Sequence, residues 1–157
     1  MPPFSPSIDE IQFRPMRMED VPDLVAIDRS WEGSRWNRAA FERELNLPMS
    51  LALVADRGGA PVGFGVMWVV TETAQLLEFA VSPAHRRQGV GSGLMKSLMD
   101  AARARGCEKM ELELHEGNFP AQSFYEKMGF EIKGRRRRFY DMGQGRMCDA
   151  ILMERPL

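Results

Sequence analysis

The chain predicts an α/β (α+β) fold, a mixed β-sheet of six to seven strands flanked by about four helices. Three observations carry this. Asp56-Arg57-Gly58-Gly59, between two apolar strand-like runs, is a hairpin signal and demands antiparallel neighbours. From Leu76 onward strand-like and helix-like periods alternate, which demands crossings between strands and helices packed on the sheet. At 157 residues, 44% hydrophobic and 27% charged, the chain has the size and composition of one globular domain.

Taken in order, residues 1–10, with Pro2, Pro3 and Pro6, read as a loose tail before a single domain over 11–157. Ile11 and Phe13 alternate as a first strand. Asp20 opens a helix bearing Val21, Leu24, Val25 and Ile27, with Pro22 tolerated in its first turn. Trp31 to Trp36 is turn-like, and Asn37 caps a second helix whose inner face is Ala40, Phe41, Glu44 and Leu45. Strands over 51–55 and 62–70 flank the hairpin; Gly63 and Gly65 within the second mark a bulge or a close backbone approach. Thr71 to Ala74 turns the chain into the apolar run Leu76–Val81, which Ser82-Pro83 ends.

Arg86-Arg87-Gln88-Gly89-Val90-Gly91 then sits where a strand hands over to a helix, because Leu94, Leu98 and Ala101 or Ala102 recur at helical spacing. The first N–H groups of a helix lack intrahelical partners and carry the positive end of its dipole, so this position suits an anion such as a pyrophosphate. Glycine lets a ligand approach the backbone, and the arginines add charged donors. The plain alternative for an isolated GxG is a tight turn. Gly106 stops the helix, and Lys109–His115 alternates with Met110, Leu112 and Leu114 on one face and Glu111, Glu113 and His115 on the other. Asn118-Phe119-Pro120 starts a helix with an apolar face of Ala121, Phe124, Tyr125 and Met128, which Gly129 ends before a strand from Phe130. Arg135–Arg138 reads as a solvated basic turn or a steering patch, and Asp149–Met153 is the last strand.

Composition excludes several classes. A net charge of −1 gives no global footprint for nucleic acid. Cys107 and Cys148 form no disulfide framework, and with His85 and His115 they show no metal-ligand spacing, so neither a metal nor an oxidising compartment is expected. With no signal-peptide pattern and no apolar run of spanning length, a cytoplasmic protein without membrane contact is expected.

The element order, together with two motifs, resembles the GNAT family of acetyl-coenzyme A dependent N-acetyltransferases. One motif is Arg86 to Gly91 preceded by Val81-Ser82-Pro83; the other is Asn118 followed by Phe124-Tyr125-Glu126-Lys127-Met128-Gly129-Phe130. The resemblance spans Ile11 to the C-terminus. It implies a splayed central sheet, acetyl-CoA as cosubstrate, pyrophosphate on Arg86, Arg87, Gln88, Gly89, Val90, Gly91 and Ser92, and the pantetheine arm along Phe79, Ala80 and Val81. It further implies that Asn118 and Tyr125 contact the coenzyme. Within the family the chain looks like the RimI-like enzymes, which acetylate the N-terminal alanine of a ribosomal protein. The features that carry this are Leu112-Glu113-Leu114, Tyr125, Arg137-Arg138-Phe139-Tyr140 and Asp149–Met153, with Trp36 and Phe41 where that group has substrate-side aromatics. A protein N-terminus is the implied acceptor, with Trp36, Glu78 and Tyr140 on the substrate side and a monomer or weak dimer as the working form.

Acetyl transfer to an amine needs a neutral nucleophile and a proton for the leaving thiolate. An α-amino group, with pKa about 7.7 to 8.0, is about 10% neutral at pH 7, whereas a lysine is less than about 0.1% neutral, so an N-terminus needs only a modest base. The resemblance assigns that role to Glu113 and the general acid to Tyr125. Spacing alone does not separate Glu113 from Glu111, and Glu78, a departure from the expected pattern, is the rival base. Two other readings stand beside this one: an acetyltransferase for a small-molecule amine or a lysine side chain, and a sensor that binds acyl-CoA without turnover.

Overall fold

The computed structural model describes residues 10–31 and 36–157; the tail predicted over 1–10, apart from Glu10, and the middle of the Trp31–Trp36 turn lie outside the described residues. Strands β1 (Ile11–Pro15), β2 (Ser50–Arg57), β3 (Ala60–Val70), β4 (Thr73–Val81), β5 (Lys109–His115), β6 (Glu131–Asp141) and β7 (Met147–Pro156) alternate with helices α1 (Val21–Arg29), α2 (Arg38–Leu45), α3 (Val90–Ala104) and α4 (Phe119–Lys127) in the predicted order. The strands run β1-β2-β3-β4-β5-β7-β6 in one mixed sheet. Contacts group the chain into two compact units: residues up to Val66 with Glu78–Leu98, and Met67–Leu77 with Met99–Leu157.

In the first unit β1 and β2 are antiparallel, from Ile11 opposite Arg57 to Pro15 opposite Leu53. The hairpin after β2 is closed by Asp56, whose Oδ1 accepts the Gly59 N–H at 2.7 Å. Its other oxygen accepts from Arg14 Nε at 2.7 Å, while Arg14 Nη1 and Nη2 donate to Asp20, each at 2.8 Å. Asp20 opens α1 as expected, standing at its N-cap where a short 3-10 turn ends, but its side chain does not bond the helix: the carboxylate takes these bonds and the Arg17 N–H at 2.8 Å. Burial works to raise the Asp20 pKa, but the bonds from Arg14 and Arg17 outweigh it and hold it below the usual value. Asn37 caps α2 as predicted, accepting the Ala40 N–H at 2.9 Å, and that helix buries Phe41 edge-on against Phe64 at 5.1 Å. The close approach expected at Gly65 is met: a Cβ there would lie 2.5 Å from Leu98 Cδ1.

In the second unit β5 is parallel to β4 over Thr73–Gln75 and antiparallel to β7 from Lys109 opposite Pro156 to His115 opposite Ala150. Met110, Leu112 and Leu114 are buried, as their alternation requires. The helical face expected on α4 is shallower than predicted, since Ala121, Phe124, Tyr125 and Met128 are each only half-buried.

Three boundaries differ from expectation. Helix α3 begins at Val90, so Gly91 lies within its first turn. Strand β4 begins at Thr73, because Thr71 at φ 52° turns the chain in a single step. Arg135–Arg138 is no turn: it lies within β6, paired to β7, with a register shift between Arg136 and Tyr140. Asp149 explains that shift. It accepts the Arg138 N–H at 2.9 Å and Arg135 Nη1 at 3.2 Å, with Arg138 at φ 53°, which makes a bulge where four arginines suggested solvated loop.

Candidate active site

The predicted anion loop is built by β4, a 3-10 turn over Pro83–His85, and the start of α3. The first bond along α3 in this loop runs from the Gly93 N–H to the Gly89 carbonyl at 3.0 Å, so the N–H groups of Val90, Gly91 and Ser92 lead the helix. Just before them Arg87 and Gly89 lie at φ 62° and 80°, and a Cβ on Gly89 would meet nothing within 4 Å. Leading amides, left-handed backbone and open space at the glycine fit a pyrophosphate. Gln88 serves the loop itself, accepting from Arg57 Nη1 at 3.2 Å and donating to the Ala84 carbonyl at 3.4 Å. Arg86 is also engaged: its guanidinium stacks 3.4 Å from the Trp31 ring centroid, and the Trp31 indole N–H donates to the Val81 carbonyl at 3.3 Å. Ala80 and Val81 are buried and Phe79 half-buried.

Glu78, immediately before that strand segment, hydrogen-bonds Asp28 of α1. Burial above all, then the charge of Asp28 and the bond between the carboxyl groups, push Glu78 up to about 8, against the opposing Phe79 N–H. Asp28 is itself buried, and its Oδ2 accepts the Trp36 N–H at 3.2 Å. The structure thus places Glu78, Asp28 and the Trp36 backbone in one cluster, with the Trp36 ring against Phe41 at 5.2 Å.

In the second unit Glu113 stands on the half-buried face of β5, opposite Leu152 of β7. Its Oε1 pairs with Arg136 Nη2 of β6 at 3.3 Å. Asn118 caps α4, accepting the Ala121 N–H at 3.3 Å. About two turns further, the Tyr125 ring packs edge-on against buried Phe130 at 5.7 Å, and Phe130 N–H donates to the Tyr125 carbonyl at 3.0 Å. Tyr140 lies 6.1 Å from His115, ring to ring. A carboxylate held by an arginine and a tyrosine on a capped helix are the group types an amine acyl transfer needs. Among the described residues no group of three or more His, Cys, Asp or Glu is arranged to hold a metal ion, and no helix is long and apolar enough to cross a membrane.

Three partners escaped the sequence reading. Asp28 had a signal: it falls on the core face of α1, four residues after Leu24, where a carboxylate must find compensation. Trp31 beneath Arg86 and Arg136 beside Glu113 had none, since both contacts join distant segments.

Comparison with known proteins agrees with this architecture. A profile of the acetyltransferase (GNAT) family matches residues 21–130. The ribosomal protein bS18-alanine N-acetyltransferase of Escherichia coli strain K12 is 32% identical over 143 residues, 88% of this chain and 92% of that one. The N-alpha-acetyltransferase RimI of Mycobacterium tuberculosis is 32% identical over 124 residues, 76% of this chain and 75% of that one. The crystal structure of the ribosomal-protein-S18-alanine N-acetyltransferase from Escherichia coli is similar with a TM-score of 0.84 at 27% identity, covering 94% of each chain. The chain belongs to the GNAT family of acetyltransferases.

Proposed function

We propose that the protein is an acetyl-CoA dependent N-acetyltransferase that acts on the N-terminal α-amino group of a protein, with the alanine terminus of a ribosomal protein as its acceptor. The observation that carries this reading is the 32% identity, over 88% of the chain, to an enzyme named for that alanine acetylation. Acetyl-CoA supplies an activated acetyl thioester. The leading amides of α3, after Arg87 and Gly89, are assigned to its pyrophosphate, and Phe79–Val81 and Asn118 to its arm. Glu113, held by Arg136, takes the proton of the amine during attack, directly or through a water, and the Tyr125 hydroxyl returns a proton to the leaving sulfur. Trp36, Glu78 and Tyr140 are assigned to the acceptor. Residues 11–157 act as one acetyltransferase domain, in the cytoplasm, as a monomer or weak dimer.

The test is thiol release from acetyl-CoA with peptides beginning in alanine, alongside peptides whose only amine is a lysine side chain, and polyamines. Turnover with the alanine peptides, and acetyl found on the α-nitrogen by mass spectrometry, is the expected result. Activity confined to lysine peptides or polyamines overturns the acceptor assignment; tight coenzyme binding without turnover of any amine makes the protein a sensor.

A further inference from the structure

Trp31 has no place in the chemistry assigned above, yet it is held at three points. Its backbone N–H donates to the Asp28 carbonyl at 3.2 Å, which fixes it to the end of α1. Its indole N–H donates to the Val81 carbonyl at 3.3 Å, and its ring carries the Arg86 guanidinium 3.4 Å from the centroid. The Val81 carbonyl calls for such a donor. Ser82 N–H donates to Val62 of β3 at 2.8 Å, so the N–H and carbonyl of Val81, one residue earlier, point away from that strand. A tryptophan tied at both its backbone and its ring nitrogen is a rigid platform, because only two side-chain torsions had to be fixed.

Arg86 is gripped by its face, which sets it apart from Arg14 and Arg135, whose N–H groups are taken by carboxylates. A guanidinium carries its five N–H donors around its edge, so stacking on a ring leaves that edge to an anion. Stacking also removes beforehand the rotamer freedom that an exposed arginine would lose on meeting a ligand. Tryptophan offers a cation the most attractive ring among the aromatic side chains. We propose that Trp31 is a positioning residue for the coenzyme: it holds Arg86 stacked and ready, so that the guanidinium edge meets the pyrophosphate, and it contributes to donor binding through that one arginine. The proposal rests on the assignment of Arg86 to Ser92 to the pyrophosphate and is independent of which amine accepts the acetyl group.

Calorimetric titration with acetyl-CoA, at low and at high salt, is carried out on wild type, Trp31→Phe, Trp31→Leu, Arg86→Met and the Trp31→Leu/Arg86→Met double variant. Trp31→Leu weakens binding about 2- to 30-fold at low salt and flattens its salt dependence, as loss of an exposed cation–phosphate contact must. Trp31→Phe, which keeps a ring face, recovers part of that loss, and the double variant binds no more weakly than Arg86→Met alone. Losses that add in the double variant, or a Trp31→Leu protein that binds more weakly with the salt dependence of wild type, show that Trp31 acts elsewhere than through Arg86, and the proposal fails. Arg86→Met binding as wild type does would remove Arg86 from the pyrophosphate and the proposal with it; Arg86→Met weakened while Trp31→Leu is not overturns the proposal alone. Wild type supplies a readout that needs no variant to fold. The Arg86 Nε–H proton resonance, displaced upfield by the indole ring, should move on addition of acetyl-CoA but not of S-acetylpantetheine, which has the thioester and arm without the phosphates. A resonance that ignores acetyl-CoA, or loses its ring displacement when the coenzyme binds, overturns the proposal.

Discussion

Gly65 of β3 lies where α3 presses on the first unit's strands, and Gly65→Ala probes that spacing. The new Cβ would stand 2.5 Å from Leu98 Cδ1 and 3.2 Å from Phe79 Cδ2, against an ordinary carbon contact of about 3.5 to 4.0 Å. Leu98 is fully buried, so relief requires either an off-rotamer Leu98 or about 1 Å of extra separation between helix and strand. Overpacking of this kind costs about 1–3 kcal/mol, from which the backbone entropy that alanine saves over glycine in a strand interior subtracts roughly 0.5–1 kcal/mol. The net loss is about 1–2 kcal/mol, a fall in Tm of roughly 2–8 °C for a chain of this length. The mechanism is specific enough for a double-mutant cycle in urea. Leu98→Ala alone costs about 2–5 kcal/mol through the cavity it leaves, but in the Gly65→Ala background the added methyl occupies part of that cavity, so the double variant retains about 0.5–3 kcal/mol more stability than additivity allows. Additive losses, or a Gly65→Ala protein as stable as wild type, would refute the claim that this glycine is required by helix-to-strand distance.

Other expectations concern charge and chemistry. Glu113→Gln lowers kcat about 10²- to 10⁴-fold with coenzyme affinity retained, and a loss below tenfold would remove Glu113 from the role of base. Arg14→Met leaves the carboxylates of Asp20 and Asp56 buried without their cation, at a cost of about 3–5 kcal/mol at pH 7. Because the pKa of Asp20 is depressed in the fold, that group's contribution is present above the ordinary carboxylate range and disappears as pH falls through its folded value. Denaturant titrations should therefore show the Arg14→Met deficit shrinking in strong acid, and a deficit of constant size would contradict the network. Glu78 has the opposite sign: its folded value is raised from 4.5 to about 8, so its favourable contribution is complete below 4.5 and declines up to about 8. Glu78→Gln removes that decline and gains at most ~5 kcal/mol over wild type at pH 8, whereas a variant less stable than wild type at pH 8 by the same margin as at pH 4 would exclude it.

Much of the architecture was readable because local signals agreed with one another. The period of Met110, Leu112 and Leu114, the Asn37 and Asn118 caps, and the Asp56 to Gly59 turn each depend on residues only a few positions apart. What escaped depends on pairing across the chain. Arg135 to Arg138 is polar enough for a loop, and only the partnership with β7 and the Asp149 carboxylate holds it as a bulged strand. The same holds at the site. Gly89 and Gly91 suggested an anion loop or a tight turn through their spacing, whereas Arg136 reaches Glu113, and Asp28 reaches Glu78, from segments more than twenty residues away. Asp20 shows local chemistry overridden: a good cap residue was diverted by Arg14 to a buried ion pair.

Strand β6 ends the sheet beyond β7, and nine of its eleven positions are exposed, including Ile132 and Phe139, with the other two half-buried. An open border of this kind is a template on which another chain's strand can assemble. Here Lys133 and the four arginines make that border strongly cationic, and the Arg138 kink breaks its straightness. Two copies that met border to border would bring like charges together along a bent line. The basic run therefore guards the protein against polymerising through its own sheet, a colloidal duty that it performs whether or not any acceptor is bound.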